Sequence, residues 1–249
     1  MDNELALSGK TFLITGGTRG IGRGIVKALI AQGASVFAVY VRNQAKAGEL
    51  EQALNTDKLR LVRADISREK GLATLTEAVA GIPLHGLVHC AATGVHKSLA
   101  QLTLTHFDWT MNLNVRAFFD LVLQLRQQFC AGASVIALSS QGAHQAIPHY
   151  TLVGASKAAL EALCRNIAVE MSDVQVRCNI LSPGSVLTEA WDVFPDKDAR
   201  IAKAREKIPG GELISVEEVA DVALFLLSDA ARAINGQTIV VDRGERIVG

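Results

Sequence analysis

Short apolar runs alternate with amphipathic stretches along almost the whole chain. Residues 11–15, 35–40, 59–64, 86–91, 134–139, 175–181 and 238–242 are mostly apolar on both alternating faces. Strands buried inside a parallel sheet require that pattern. Between the first two runs, Ile21, Ile25, Val26, Leu29 and Ile30 recur at helical spacing and predict a helix over 20–32. Segments 104–129, 154–171 and 216–228 predict three more helices. Strand, helix and strand repeated with right-handed crossovers give an α/β fold, an open doubly wound parallel sheet with helices on both faces.

No linker-like stretch, internal repeat or low-complexity segment divides residues 1–249, so the chain reads as one domain. Its one long irregular region, 182–211, falls beyond the carboxyl ends of the strands, where ligands bind in such sheets. It is either a lid over substrate (182–211) or an ordinary surface excursion; long loops in compact domains tend to be functional.

Composition narrows the function classes. The chain is 49% apolar, and 25 basic residues balance 25 acidic ones, so no field of one sign points to nucleic acid or an anionic membrane. The start, Met1-Asp2-Asn3-Glu4, is unlike a signal peptide, and no apolar run is long enough to suggest a membrane span. Cys90, Cys130, Cys164 and Cys178 form neither a metal-ligand spacing nor a disulfide framework, which fits a reducing cytoplasm. Neither the histidines nor paired acids suggest a metal site or hydrolysis.

The turn Thr15-Gly16-Gly17-Thr18-Arg19-Gly20-Ile21-Gly22 joins the first strand to the first helix. Glycines there allow a tight turn and let backbone N–H groups approach a pyrophosphate at the positive end of the helix. The arrangement is that of a Rossmann-type dinucleotide site, with a glycine-rich turn without ligand as the bland alternative. An NAD site places an acid about 20 residues onward for the ribose 2′-hydroxyl. Here the second strand ends Tyr40-Val41-Arg42-Asn43, without one. Arg42, with Arg19, suits a 2′-phosphate instead, so the expected cofactor is NADPH.

The spacing of Gly16, Gly20 and Gly22 resembles the short-chain dehydrogenase/reductase family. So do Asp65, His89-Cys90-Ala91-Ala92, Asn112, Ser140, Lys157, Pro183-Gly184 and Val241-Asp242. The resemblance implies a seven-stranded parallel sheet and a homotetramer. It places Asp65 and Ile66 near the adenine, with Ala91 beside the nucleotide. Thr188 would lie by the phosphate or carboxamide, Pro183, Gly184 and Val186 would be cofactor-binding as well, and Asn112 would support Lys157 through a water. Cys90 stands where the family usually has Asn, and Arg243 where Gly is usual.

The informative departure is the proton donor. Most of the family has Tyr four residues before the Lys, but that slot is Val153, which can neither donate a proton nor hydrogen-bond. Tyr150 lies seven residues before Lys157 instead, nearly two turns, or roughly 700° of rotation. This spacing, within 149–163, resembles enoyl-acyl carrier protein reductases of the third type, as does the string 106–112. Conjugate reduction gives an independent reason for the shift. Hydride then goes to Cβ of a trans-2-enoyl thioester, and charge appears on the thioester oxygen two carbons further along. Tyr150 would hydrogen-bond that oxygen, and Lys157 would bind the nicotinamide ribose and lower the phenol pKa. Ser140 either touches substrate or ends the fifth strand.

Trp191, Val193 and Phe194 are acyl-pocket or core residues. Lys197, Arg200, Lys203, Arg205 and Lys207 crowd one stretch. They form either a solvated helix face or a docking site for an acidic acyl carrier protein presenting the enoyl thioester. Two alternatives stand beside the enoyl reductase: a 3-ketoacyl or carbonyl reductase, and a catalytically inactive NADPH-binding protein.

Overall fold

The computed structural model describes residues 5–189, 191 and 196–247. Seven parallel strands form one sheet in the order β3-β2-β1-β4-β5-β6-β7. They are β1 (Thr11–Thr15), β2 (Ser35–Tyr40), β3 (Leu59–Arg63), β4 (Leu84–His89), β5 (Phe129–Leu138), β6 (Arg177–Pro183) and β7 (Thr238–Val241). The expected α/β, Rossmann-type doubly wound sheet is the observed one. The strand order reverses between β1 and β4, and the crevice at their carboxyl ends is where such sheets bind ligands.

Successive side chains on a strand point to opposite faces, and here both faces are buried. Leu13, Leu87, Val135 and Ala137 join one core, together with Phe118, Leu121, Leu160 and Ile167. Phe12, Ile14, Val88 and Ile136 join the other, together with Ile25, Leu29, Val219 and Leu227. Helices α1 (Gly20–Ala31), α2 (Gln44–Leu54) and α8 (Val216–Leu227) therefore cover one face. Helices α3 (Glu69–Ala78), α5 (Ala117–Leu125) and α6 (Thr151–Glu170) cover the other.

Two expectations are revised. The single helix over 104–129 is α4 (Leu104–Met111), a π-helical segment Asn112–Arg116 and α5, and 129 already belongs to β5. The region 182–211 is not irregular throughout, because it contains α7 (Lys197–Lys207), a polar helix whose one buried residue is Ala204. No helix among the described residues is long and apolar enough to cross a membrane.

Candidate active site

The glycine turn crosses the carboxyl ends of β1 and β4 at close range. A Cβ on Gly16, whose φ is +66°, would meet the Ala91 backbone nitrogen at 3.0 Å, and one on Gly22 would strike the Gly16 carbonyl. Gly22 thus packs the start of α1 against Gly16. Thr15 ties the two strand ends together: its Oγ1 accepts from Ala91 N at 3.1 Å and lies 3.0 Å from His89 Nδ1. His89 is buried and its pKa is pushed down to about 3, by desolvation first and by the Lys157 charge second, so the ring is neutral.

Helix α1 begins at Gly20 with Arg19 in the cap position, no side-chain cap and no acid in its first turn. Uncapped N–H groups behind a turn that only glycine fits are suited to a pyrophosphate. Thr18, within the turn, is buried, and Ile21 packs against the core from its partly buried position. On the far side, Thr188 comes within 3.7 Å of where a Gly20 Cβ would stand, so the β6 loop closes on the glycine turn.

Each remaining cofactor residue has a definite place. Arg42 and Arg19 are exposed at the mouth of the crevice, and Asn43 Oδ1 caps α2 through Lys46 N at 3.0 Å. Asp65 Oδ1 accepts from Ser67 N and Oγ at 3.2 and 2.6 Å, which shapes the loop after β3, and Ile66 beside it is buried. Pro183 ends β6, and Gly184 donates its N–H to Val241 O at 2.9 Å. Val186 forms an isolated bridge with Ile214. Arg243 keeps the left-handed backbone that favours glycine, with φ +49°, and pairs with Glu212 and Glu218 at 2.8 and 2.6 Å.

At the opposite wall, Lys157 is buried on α6 and donates to Leu138 O at 2.7 Å. Burial lowers its pKa to about 8, opposed by the nearby Cys90. Val153, one turn earlier, is buried against Gly94, where a Cβ would collide with it. Tyr150 occupies the cap position of α6, and its hydroxyl lies 3.2 Å from Ser140 Oγ. Its ring packs against Gly142, where a Cβ would also collide, and lies 5.5 Å from the His96 ring. Burial raises the Tyr150 pKa and the Ser140 hydrogen bond offsets this in part. The expected lowering by Lys157 is thus replaced by a net rise, because desolvation of the phenolate dominates. Ser140 is brought to the phenol, and the structure gathers Ser140, Tyr150 and Lys157 on one wall.

Asn112 is not with them. It lines a separate hollow of about 350 Å³ with Ser67, Arg68, Thr105, Asp108 and Trp109. The residue turned inward is Asn114, which is fully buried. Its Oδ1 accepts from Thr93 N at 2.8 Å, and its Nδ2 donates to Thr93 O and Ser156 Oγ at 2.9 Å each. The physical reason is helical phase. Thr110, Asn114 and Phe118 are spaced by four and share the buried face, whereas Asn112 is rotated roughly 200° from Asn114. That phase was available from the sequence and identifies Asn114. Glu161, buried four residues beyond Lys157, and His96 carried no such signal.

On the 182–211 region, Trp191 Nε1 donates to Val186 O at 2.6 Å from a partly buried position, while Val193 and Phe194 lie outside the described residues. On α7, Lys203, Arg205 and Lys207 are exposed, and Arg200 pairs with Asp196 at 2.7 Å. Among the described residues no group of histidine, cysteine and acidic side chains could hold a metal.

Fold and crevice together define a Rossmann-type dinucleotide-binding oxidoreductase. Residues 16–245 match the family model described as enoyl-(acyl carrier protein) reductase. The chain is 32% identical over 244 residues to a 1-cyclohexenylcarbonyl-CoA reductase of Streptomyces collinus, covering 95% of this chain and 86% of that protein. It is also 32% identical to an L-xylulose reductase of Caenorhabditis elegans, over 94% of this chain and 95% of that one. A short-chain dehydrogenase of Burkholderia cenocepacia, solved in complex with NADP, superposes with a TM-score of 0.86 at 29% identity, covering 96% and 98% of the two chains. The chain belongs to the short-chain dehydrogenase/reductase family, oxidoreductases that use a nicotinamide cofactor.

Proposed function

We propose that the protein reduces the carbon–carbon double bond of a trans-2-enoyl thioester with NADPH, as an enoyl-acyl carrier protein reductase of fatty-acid or related polyketide synthesis. One observation carries the reading. The slot one turn before Lys157 holds buried Val153, and the chain's two tyrosines leave only Tyr150 on the wall of the crevice. A donor displaced from the lysine in this way suits an oxygen two carbons from the carbon that receives hydride.

The residues of the crevice fit the cofactor. The Gly16–Gly22 turn and the open start of α1 would hold the pyrophosphate, with Asp65, Ile66 and Ala91 at the adenosine end. Arg19 and Arg42, with no acid at the end of β2, support the 2′-phosphate. When bound, the cofactor supplies hydride. Tyr150, whose phenol burial pushes above its ordinary pKa, donates a hydrogen bond to the thioester oxygen as negative charge develops there, and a proton taken up at Cα completes the reduction. Ser140 orients the phenol, and Lys157 holds the nicotinamide ribose. Asn114, rather than Asn112, supports the wall behind Lys157 through Ser156.

An acidic acyl carrier protein is the proposed donor of substrate, attracted by the exposed Lys203, Arg205 and Lys207 of α7. A homotetramer is proposed as well, since α4 and α5 leave Phe107, Trp109, Phe119 and Leu123 some two-fifths exposed. The Ser140–Tyr150 pair also favours a second reading, carbonyl reduction, in which the same two hydroxyls would hold a ketone oxygen.

The test is NADPH oxidation with crotonyl and acetoacetyl thioesters side by side, on the wild type and on Tyr150→Phe. Turnover of crotonyl alone, reduced about a hundredfold or more by the substitution, is the expected result. Turnover of acetoacetyl alone, or an unimpaired variant, would overturn the reading.

A further inference from the structure

Tyr150 and Ser140 do not stand on the element that carries Lys157. Tyr150 precedes the first turn of α6 with φ −117° and ψ 11°, outside helical geometry. The Tyr150 carbonyl opens α6 by accepting from Gly154 N at 2.7 Å, so the phenol's place is set jointly by the start of the helix and by the segment 139–150 that carries Ser140 and Gly142.

That segment is joined to α6 through one buried carboxylate. Glu161 lies one turn beyond Lys157 and is 2% exposed. Its Oε1 accepts from Ser139 Oγ at 2.5 Å, and its Oε2 lies 2.7 Å from His144 Nε2, with Thr238 Oγ1 at a longer 3.4 Å. Ser139 directly precedes Ser140. His144 ends the tight turn Gln141–Ala143, whose Gly142 lies under the Tyr150 ring. Both ends of the turn that shapes the phenol's bed are thus held by the two oxygens of one side chain. A carboxylate withdrawn from water is unfavourable unless its oxygens are met, so the contacts to Ser139 and His144 are strongly held in place. An apolar side chain at position 161 would fill the space without that desolvation, but would tie the turn to nothing.

We infer that Glu161 and His144 are positioning residues for the reaction, the buried carboxylate locking the segment that carries Ser140 and Tyr150 onto the helix that carries Lys157. The inference rests on Tyr150 acting on the substrate oxygen, as proposed above. Displacement of a reacting group by about 1 Å costs roughly a hundredfold in rate. The brace therefore acts on turnover and leaves the nucleotide crevice, built on β1, β4 and α1, untouched.

His144 is the residue to change, because its side chain is 60% exposed and truncation opens no core cavity. The experiment compares His144→Ala, His144→Gln, Glu161→Gln and Tyr150→Phe in the full-length enzyme. It measures kcat and KM with crotonyl thioester, NADPH Kd by fluorescence, and melting temperature. His144→Ala is expected to lower kcat at least tenfold with NADPH Kd and melting temperature unchanged. His144→Gln, whose amide can donate to the carboxylate, is expected to recover most of the loss. Wild-type kcat in His144→Ala, alongside an inactive Tyr150→Phe, overturns the brace while leaving the phenol's role standing. So does a kcat that falls only in step with melting temperature and NADPH affinity, or a glutamine that restores nothing. Full activity of Tyr150→Phe would instead remove the reading on which the brace rests.

Discussion

Replacing Lys157 by methionine should stabilise the protein while abolishing turnover. Lys157 is 6% exposed, and among the described residues its ammonium donates to a backbone carbonyl, Leu138 O at 2.7 Å, not to a carboxylate. Burial lowers its pKa from the ordinary 10.5 to about 8. That gap corresponds to about 3 kcal/mol by which the charged form is disfavoured in the folded state at neutral pH. Methionine removes the charge and keeps the length. It leaves the Leu138 carbonyl without its donor, at a cost of about 1 kcal/mol. The net gain is about 2 kcal/mol, or roughly 4–8 °C in melting temperature for a chain of this length. The pH dependence has a definite sign. Between about 8 and 10.5 the unfolded lysine binds a proton that the folded one has released, so wild-type stability relative to the variant rises with pH across that window. Urea denaturation of both proteins at pH 7 and at pH 10 tests this, taking the difference so that other titrating groups cancel. A variant no more stable than the wild type at pH 7, or an advantage that does not shrink at pH 10, would show that Lys157 is not held against its desolvation.

Asn114→Ala should cost about 3 kcal/mol in denaturant melts, since it strands both backbone groups of Thr93 and removes the donor to Ser156 Oγ, which keeps only its own bond to Val153 O, whereas Asn112→Ala should change stability by about 0.5 kcal/mol or less. Equal effects would undo the placement of Asn114 as the inward residue. Arg42→Ala should weaken NADPH binding about tenfold and leave NADH binding unchanged, as read by nucleotide fluorescence titration. A parallel loss for both nucleotides would remove the 2′-phosphate role. Reversing Lys203 and Arg205 to Glu should lower kcat/KM several-fold for a carrier-protein thioester at low salt and leave the coenzyme A thioester unaffected. Identical kinetics with both substrates would dispose of the docking face.

The sheet was legible because a parallel strand covered on both faces leaves an unmistakable apolar run, as in Phe12-Leu13-Ile14 or Val135-Ile136-Ala137. The nucleotide turn was legible for a related reason: close approach of Gly16 to Ala91 and of Gly22 to Gly16 admits only glycine, so the backbone requirement is written as residue identity. Polar parts of the site obey no such rule. Asn112 and Asn114 are the same residue type two positions apart, and only the phase set by Thr110 and Phe118, continued through a π-helical segment, decides which is buried. The contribution of Ser139, His144 and Glu161 is more remote still, because their meeting depends on how a turn off β5 folds back over α6 and has no period in the sequence. The helix within 182–211 leaves no mark in the hydrophobic spacing because α7 is polar around most of its surface and buries only Ala204. The shifted phenol lies between these cases. Its distance from Lys157 is plain in the sequence, but what makes that distance workable is the non-helical backbone at Tyr150, together with the room left by Gly142. A tyrosine restored at position 153 would meet the space now filled by Val153 against Gly94, so the relocation of the donor is built into the packing of the wall and is not a local substitution.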